Sequence, residues 1–125
     1  MFGHFQSSQL RLEVDAPASR IRESLTVPSH LQRWLFPQQI SGDIPLVAGV
    51  SFTSTIGPIT IAHQVKISQA NALVCLLSQG IDGYHEWYWG EGWVQSRLEG
   101  ISLLPLNLGQ TWNLLRLVQH LRSIK

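Results

Sequence analysis

The residues of this chain that could do chemistry are histidines, aromatics and one cysteine, and their spacing restricts what that chemistry can be. His63 stands in an alternating run: Ile59, Ile61, His63, Val65 and Ile67 share one face, and Thr60, Ala62, Gln64, Lys66 and Ser68 share the other. An imidazole on such an apolar face has two readings. It is a core histidine satisfied by a backbone carbonyl or water, because buried polar groups find partners, or it is the polar anchor of an apolar pocket, the usual make-up of a small-molecule site. The run 84–89 also splits into two faces, with His85, Trp87 and Trp89 on one and Tyr84, Glu86 and Tyr88 on the other. The histidine–tryptophan set is expected inward, since tryptophan contributes most when buried. Such a cluster makes core or lines a site; an aromatic cage for a cation is a third use that nothing in the sequence selects.

Catalysis finds less support. His85 and Glu86 are neighbours on a strand, so their side chains point to opposite faces and form no close acid–base pair. His63 and His85 are expected two strands apart, ~10 Å at normal strand spacing; a substrate could bridge them, but a proton could not pass directly. The histidines at 4, 30, 63, 85 and 120 show no HxH or HxxxH spacing, so neither a metal site nor a two-histidine–carboxylate iron centre is expected. Cys75, the single cysteine, reads as an inert core thiol. It excludes an intrachain disulfide and any multi-cysteine metal site. No catalytic residue and no cofactor is assigned.

These residues must be positioned by strands and by one long helix. Leu10, Leu12 and Val14 alternate with Gln9, Arg11 and Glu13, which predicts a half-buried first strand over 5–15. Pro17 and Pro28 open two short helices, with Ala18, Ile21 and Leu25 on one apolar face and Leu31, Trp34 and Leu35 on the next; Pro37 stops the second. A weak strand over 39–43 comes after them. Val50, Phe52, Ser54 and Ile56 alternate, Gly57-Pro58 turns, and the His63 run comes next; Ala70-Asn71 turns into 72–79, apolar on both faces. Segments 81–89 and 92–102 form a hairpin around residues 90–92. With a two-residue turn, Val94, Ser96 and Leu98 join the inner face of Trp87. The last segment, 107–125, is a helix whose apolar arc is about twice the ordinary 100° stripe. Asn107 is expected to cap it, with Gln110 completing a capping-box spacing. On the wheel, Leu108, Trp112 and Leu115 make one flank, assigned to a cavity wall, while Leu114, Leu117, Val118 and Leu121 make the packing flank.

At 125 residues the chain is expected to be one domain, 1–125. Its net charge of +1 gives no electrostatic case for nucleic acid or an anionic membrane. Charged residues are only 14%, which makes a homodimer compatible with the surface. The longest apolar run, 72–77, is far short of the ~18 residues of a membrane span. The N-terminus lacks the basic and apolar regions of a signal peptide, so a soluble, cytoplasmic protein is expected.

This order of elements resembles the START/Bet v 1-like (SRPBCC) superfamily, including its polyketide cyclase/dehydrase-like members. The likeness is carried by Ala16, Pro17, Ile21, Leu25, Pro28, Leu31 and Trp34 in the opening segment, and by Gly49 and Phe52 beyond it. It implies an α+β helix-grip fold: a curved antiparallel sheet of about seven strands, two short helices after the first strand, and a long C-terminal helix held by the sheet. It also implies a cavity between sheet and helix, which this short chain could leave reduced or filled. The function so implied is binding of a small hydrophobic ligand of lipid, polyketide or isoprenoid type. The expected contacts are Phe52, Ile61, His63, His85, Trp87, Trp89, Leu98, Trp112 and Leu115. The alternatives are a cyclase or dehydratase using a pocket histidine as acid–base catalyst, and an interaction or chaperone-cofactor module with Tyr84, Tyr88 and Trp93 on its outer surface.

Overall fold

A computed structural model describes residues 3–35, 38–42 and 44–124, apart from the side chain of Ile56. The elements run β1 (His4–Glu13), α1 (Ala18–Thr26), α2 (Pro28–Leu35), β2 (Gln39–Ile40), β3 (Ser51–Ile56), β4 (Ile59–Gln69), β5 (Ala72–Gln79), β6 (Asp82–Gly90), β7 (Trp93–Ser102) and α3 (Leu106–Ser123). Pro37, Asp43 and Lys125, which the sequence places at a helix stop, a strand end and a helix end, lie outside the described residues.

The seven strands form one sheet in the order β1-β7-β6-β5-β4-β3-β2, with each neighbouring pair antiparallel. Tight connections explain the run from β3 to β7, because adjacent antiparallel strands need only a hairpin turn. β1 and β2 stand at opposite edges, so α1 and α2 carry the chain across the sheet between them. α3 packs against α1 and α2 and against β1 and β7. This is the α+β architecture expected from the order of elements.

Two local departures have physical causes. The alternation of β4 does not run to its end: the register slips between Val65, opposite Cys75, and Ile67, opposite Val74. The extra residue is Lys66, and such a bulge turns the remainder of the strand to the other face. Ile67 is therefore exposed, while Ser68 turns in and donates its hydroxyl to the Leu46 carbonyl at 2.8 Å. The β6–β7 turn holds two residues, Glu91 and Gly92, since Gly90 pairs with Trp93. Gly92 takes φ +81°, the left-handed region that favours glycine. The two-residue turn puts Val94, Ser96 and Leu98 on the buried face, as the pattern predicts.

The C-terminal helix begins one residue earlier than expected, and Asn107 does not cap it. Leu106 N–H donates instead to the side chain of Gln6 on β1, at 3.1 Å, so the sheet edge caps the helix. Asn107 Nδ2 reaches Ser8 Oγ at 2.8 Å. Gln110 is 1% exposed and belongs to no capping box; it is one of two polar residues, with His120, among the buried positions Leu106, Gln110, Leu114, Leu117, His120 and Leu121. Successive helical residues are 100° apart, so Leu115 sits well off those positions. Leu108, Trp112 and Leu115 are 68%, 52% and 55% exposed. The helix is gripped along one flank.

Truncation of the gripped flank should destabilise the fold and truncation of the other should not. Leu117→Ala is expected to cost about 2–5 kcal/mol, the range for emptying a packed leucine site. Leu115→Ala should stay within about 0.5 kcal/mol. Urea unfolding followed by tryptophan fluorescence measures both.

Candidate functional site

Between the inner face of the sheet and the N-terminal half of α3 lies a cavity of about 470 Å³. That volume is within the roughly 300–1,000 Å³ of small-molecule sites. β3 to β7 supply its floor through Phe52, Ser54, Ile61, His63, Leu73, Cys75, Leu77, His85, Trp87 and Leu98. α2 supplies Leu31, Trp34 and Leu35, with Leu25 from α1 behind them. Pro105, Leu108, Gly109 and Trp112 are lining residues that are also exposed, which places the mouth beside the first turns of α3. A Cβ on Gly109 would meet nothing within 4 Å, so the helix surface there is open. The cavity is neither closed nor filled, despite the short chain.

The sheet's alternation delivers the two histidines to this wall. His63 Nε2 lies 2.9 Å from Ser54 Oγ, and its ring stacks on Phe52 at 4.4 Å and 5°. Phe52 and His63 are opposite one another across β3 and β4, the position at which cross-strand side chains meet. His85 Nε2 lies 2.8 Å from Ser96 Oγ, and its ring tilts against Trp87 at 4.7 Å. Trp87 in turn meets Trp34 of α2 edge-on at 6.2 Å, and Trp34 donates Nε1–H to the Ser24 carbonyl at 2.9 Å. Both imidazoles are half-buried, with protein around them except where they meet the cavity. Burial penalises the charged form. It pushes the pKa of His63 down to about 4. His85 is pushed down to about 3, by burial first and then by repulsion from His63. Burial also pushes the Cys75 thiol up to about 12, so it carries almost no thiolate at neutral pH.

Among the described lining residues there is no Asp, Glu, Lys or Arg. Nor do any three His, Cys, Asp or Glu side chains gather as a metal ion needs, among the described residues. Glu86 lies on the opposite face from His85, taking the Tyr88 hydroxyl at 2.7 Å and facing Arg97 at 3.7 Å. His63 and His85 stand on β4 and β6 with β5 between them, opposite Leu77 and Cys75 respectively, so two strand spacings of ~5 Å and a two-residue offset separate them.

Of the residues that the sequence marks as contacts, Phe52, Ile61, His63, His85, Trp87, Leu98 and Trp112 line the cavity. Trp89 and Leu115 do not. Trp89 is one pleat nearer the hairpin than Trp87 and is 1% exposed, enclosed in filled core. Leu115 faces solvent, because the helix turns its other flank to the sheet. Sequence reasoning missed Ser54 and Ser96 as partners of the histidines, and Gln110 as the partner of Ser96. A signal existed for the serines: each occupies an inward position of an alternating strand, where an unpaired hydroxyl is costly. None existed for Gln110, whose spacing matched a capping box.

No protein-family model matches this sequence, and neither does any curated protein. Solved structures do. CalU16 from Micromonospora echinospora superposes with TM-score 0.73 at 20% identity, over 92% of this chain and 75% of its own. CV1439 from Chromobacterium violaceum gives 0.73 at 16% identity, over 92% and 96%. DynU16, from the dynemicin biosynthetic locus, gives 0.71 at 19% identity over 95% of this chain, which spans about half the length of DynU16 (48%). An Aha1 dimer from Colwellia psychrerythraea has the same fold, with TM-score 0.66 at 16% identity, over 93% and 96%. The chain shares the helix-grip fold of these structures.

Stability should depend on pH through the two cavity histidines. Their folded pKa values lie below the unfolded value of ~6.5, so the unfolded chain binds more protons in the window between. Their contribution is complete above pH ~6.5 and is lost as pH falls towards about 4 and about 3, by at most ~1.4 kcal/mol per pH unit for each ring. Urea midpoints from pH 7.5 to 4 measure the slope, and His63→Phe should flatten it.

Proposed function

We propose that this chain binds a small apolar molecule of lipid, polyketide or isoprenoid type in the cavity between the sheet and α3. The observation that carries this reading is a 470 Å³ cavity whose described wall is apolar, uncharged and punctuated by His63 and His85. An apolar occupant leaves water for matching apolar surface, at roughly 25 cal/mol per Å². The neutral rings supply direction rather than charge. DynU16 comes from a biosynthetic locus, which is in keeping with a small organic ligand.

The enzymatic alternative is less well served by the same geometry. A general base works best with a pKa near the working pH. His63 at about 4 and His85 at about 3 are weak bases, the hydrogen-bond partner of each among the described residues is a serine hydroxyl, and no carboxylate is among the described lining residues. At neutral pH they donate and accept hydrogen bonds without taking up a proton.

A second reading concerns the flank of α3 that the sheet leaves uncovered. Leu108, Trp112 and Leu115 are more than half exposed along one side of the helix, and Leu103 beside it is 75% exposed. An apolar strip of this kind on a weakly charged surface marks an interaction face, and a second copy of the chain would suit it, as the Aha1 dimer shows a fold neighbour that self-associates.

Two measurements test these readings. Denaturing solvent extraction and native mass spectrometry should find a small apolar molecule in protein purified without added ligand, or show uptake of the neutral dye N-phenylnaphthylamine. Leu98→Trp, which fills the cavity wall, should weaken dye binding about tenfold, or ~1.4 kcal/mol; unchanged dye binding would remove the cavity as the site. For self-association, sedimentation velocity should show a dimer that Trp112→Glu converts to monomer. A wild-type chain that stays monomeric at high micromolar concentration would sink that second reading.

A further inference from the structure

The amide of Gln110 is almost wholly buried, and its orientation is set by its neighbours. Nε2 lies 2.9 Å from the Ser96 carbonyl oxygen and 3.2 Å from that of Ser8. Backbone carbonyls can only accept, so the nitrogen must face them and the amide cannot be flipped. Oε1 then receives the Ser8 hydroxyl at 2.6 Å, and Ser8 Oγ receives Asn107 Nδ2 at 2.8 Å. The same Gln110 Nε2 is 3.0 Å from Ser96 Oγ.

Ser96 is fully buried, at 0% exposure. Its Oγ has two polar neighbours among the described residues: Gln110 Nε2, which can only donate, and His85 Nε2 at 2.8 Å. The hydroxyl proton has one acceptor available among the described residues, His85 Nε2, and a buried hydroxyl left without an acceptor is costly. His85 Nε2 is thereby an acceptor, and in a neutral imidazole the other nitrogen then carries the proton. No partner for His85 Nδ1 is found among the described residues, and the ring forms part of the cavity wall.

We propose that the Ser8–Gln110–Ser96 chain holds His85 as the Nδ1–H tautomer, and that this N–H selects a neutral apolar molecule bearing a carbonyl-type acceptor. The inference rests on the cavity being a ligand site and adds what kind of ligand it takes. A ketone, ester or quinone oxygen satisfies the donor and needs no counter-charge. A carboxylate enters an uncharged apolar wall with no Lys or Arg among its described lining residues, and loses its hydration without an ion pair. A pure hydrocarbon leaves the N–H unsatisfied. Gln110 and Ser96 are positioning residues: they act through His85. His63 contributes a second polar point, but Ser54 Oγ has no second partner among the described residues that would fix its proton.

Two experiments decide it. In long-range nitrogen–proton NMR of the uniformly labelled wild-type chain, His85 should show one neutral form with the proton on Nδ1. Ser96→Ala should convert that signature to a mixture of tautomers in a chain that stays folded. A wild-type proton on Nε2 overturns the relay. Dye displacement at neutral pH with butyrophenone, butylbenzene and phenylbutyrate reads the selectivity. Butyrophenone should bind about tenfold more tightly than either of the others, as expected for one hydrogen bond of ~1.4 kcal/mol. In His85→Phe its advantage over butylbenzene should fall to within about twofold. Equal affinities for the ketone and the hydrocarbon, or tighter phenylbutyrate, overturn the carbonyl inference and leave the cavity reading standing. Binding of none of the three overturns both.

Discussion

The requirement that a buried amide be satisfied on all sides sets the seating of α3 on the sheet. Gln110 is a polar residue among the buried positions of the N-terminal half of α3, and its partners lie on two different strands, Ser8 on β1 and Ser96 on β7. An amide held by two carbonyls and two hydroxyls is worth more intact than the sum of its parts, because any slip leaves several groups unsatisfied at once. A rotation or a one-residue slide of the helix would do that. Leucine contacts alone tolerate such slides, since apolar packing is less directional than hydrogen bonding. Gln6, which caps the helix through Leu106 N–H and also donates to the Ser102 and Leu104 carbonyls, fixes the same end from the strand edge.

That seating is also what leaves the cavity open. Leu114, Leu117 and Leu121 belong with Ile21 to the filled core. Further towards the N-terminus, Leu108, Gly109 and Trp112 border the mouth. The sheet therefore presents two environments to one helix: a dry, close-packed end and an end with space beneath it. Trp87 and Trp89, two residues apart on one strand, fall on either side of that division. One lines the cavity and the other is enclosed in core.

The described wall of the cavity is apolar, and its polar points carry no charge. Each histidine has a serine at hydrogen-bond distance and an aromatic ring against its face, Phe52 for His63 and Trp87 for His85. Serine satisfies one ring nitrogen and provides no counter-charge, so burial drives both rings to the neutral state. A carboxylate in either serine's place would have raised the pKa and made an acid–base pair. The choice of hydroxyl partners is what separates a hydrogen-bonding pocket from a proton-transferring one.

The sequence by itself determined the order of elements, the antiparallel sheet and the inward set on β6 and β7. Each depends on local signals: period-two alternation, turn glycines and prolines that open helices. It also placed His63, His85, Phe52 and Trp87 on one face, because a pleated strand sorts its residues without reference to anything distant. Only the tertiary structure decided which flank of α3 is gripped. The wheel gives angles within the helix and no register against the sheet, so Leu115 could be assigned to the cavity when it faces water, and Gln110 to a cap when it is the buried link. The bulge at Lys66 was invisible for the same reason, since it exists only relative to the partner strand. The last nineteen residues announce a helix that must be held; where it is held, and what space is left beneath it, depend on partners a hundred residues away in the chain.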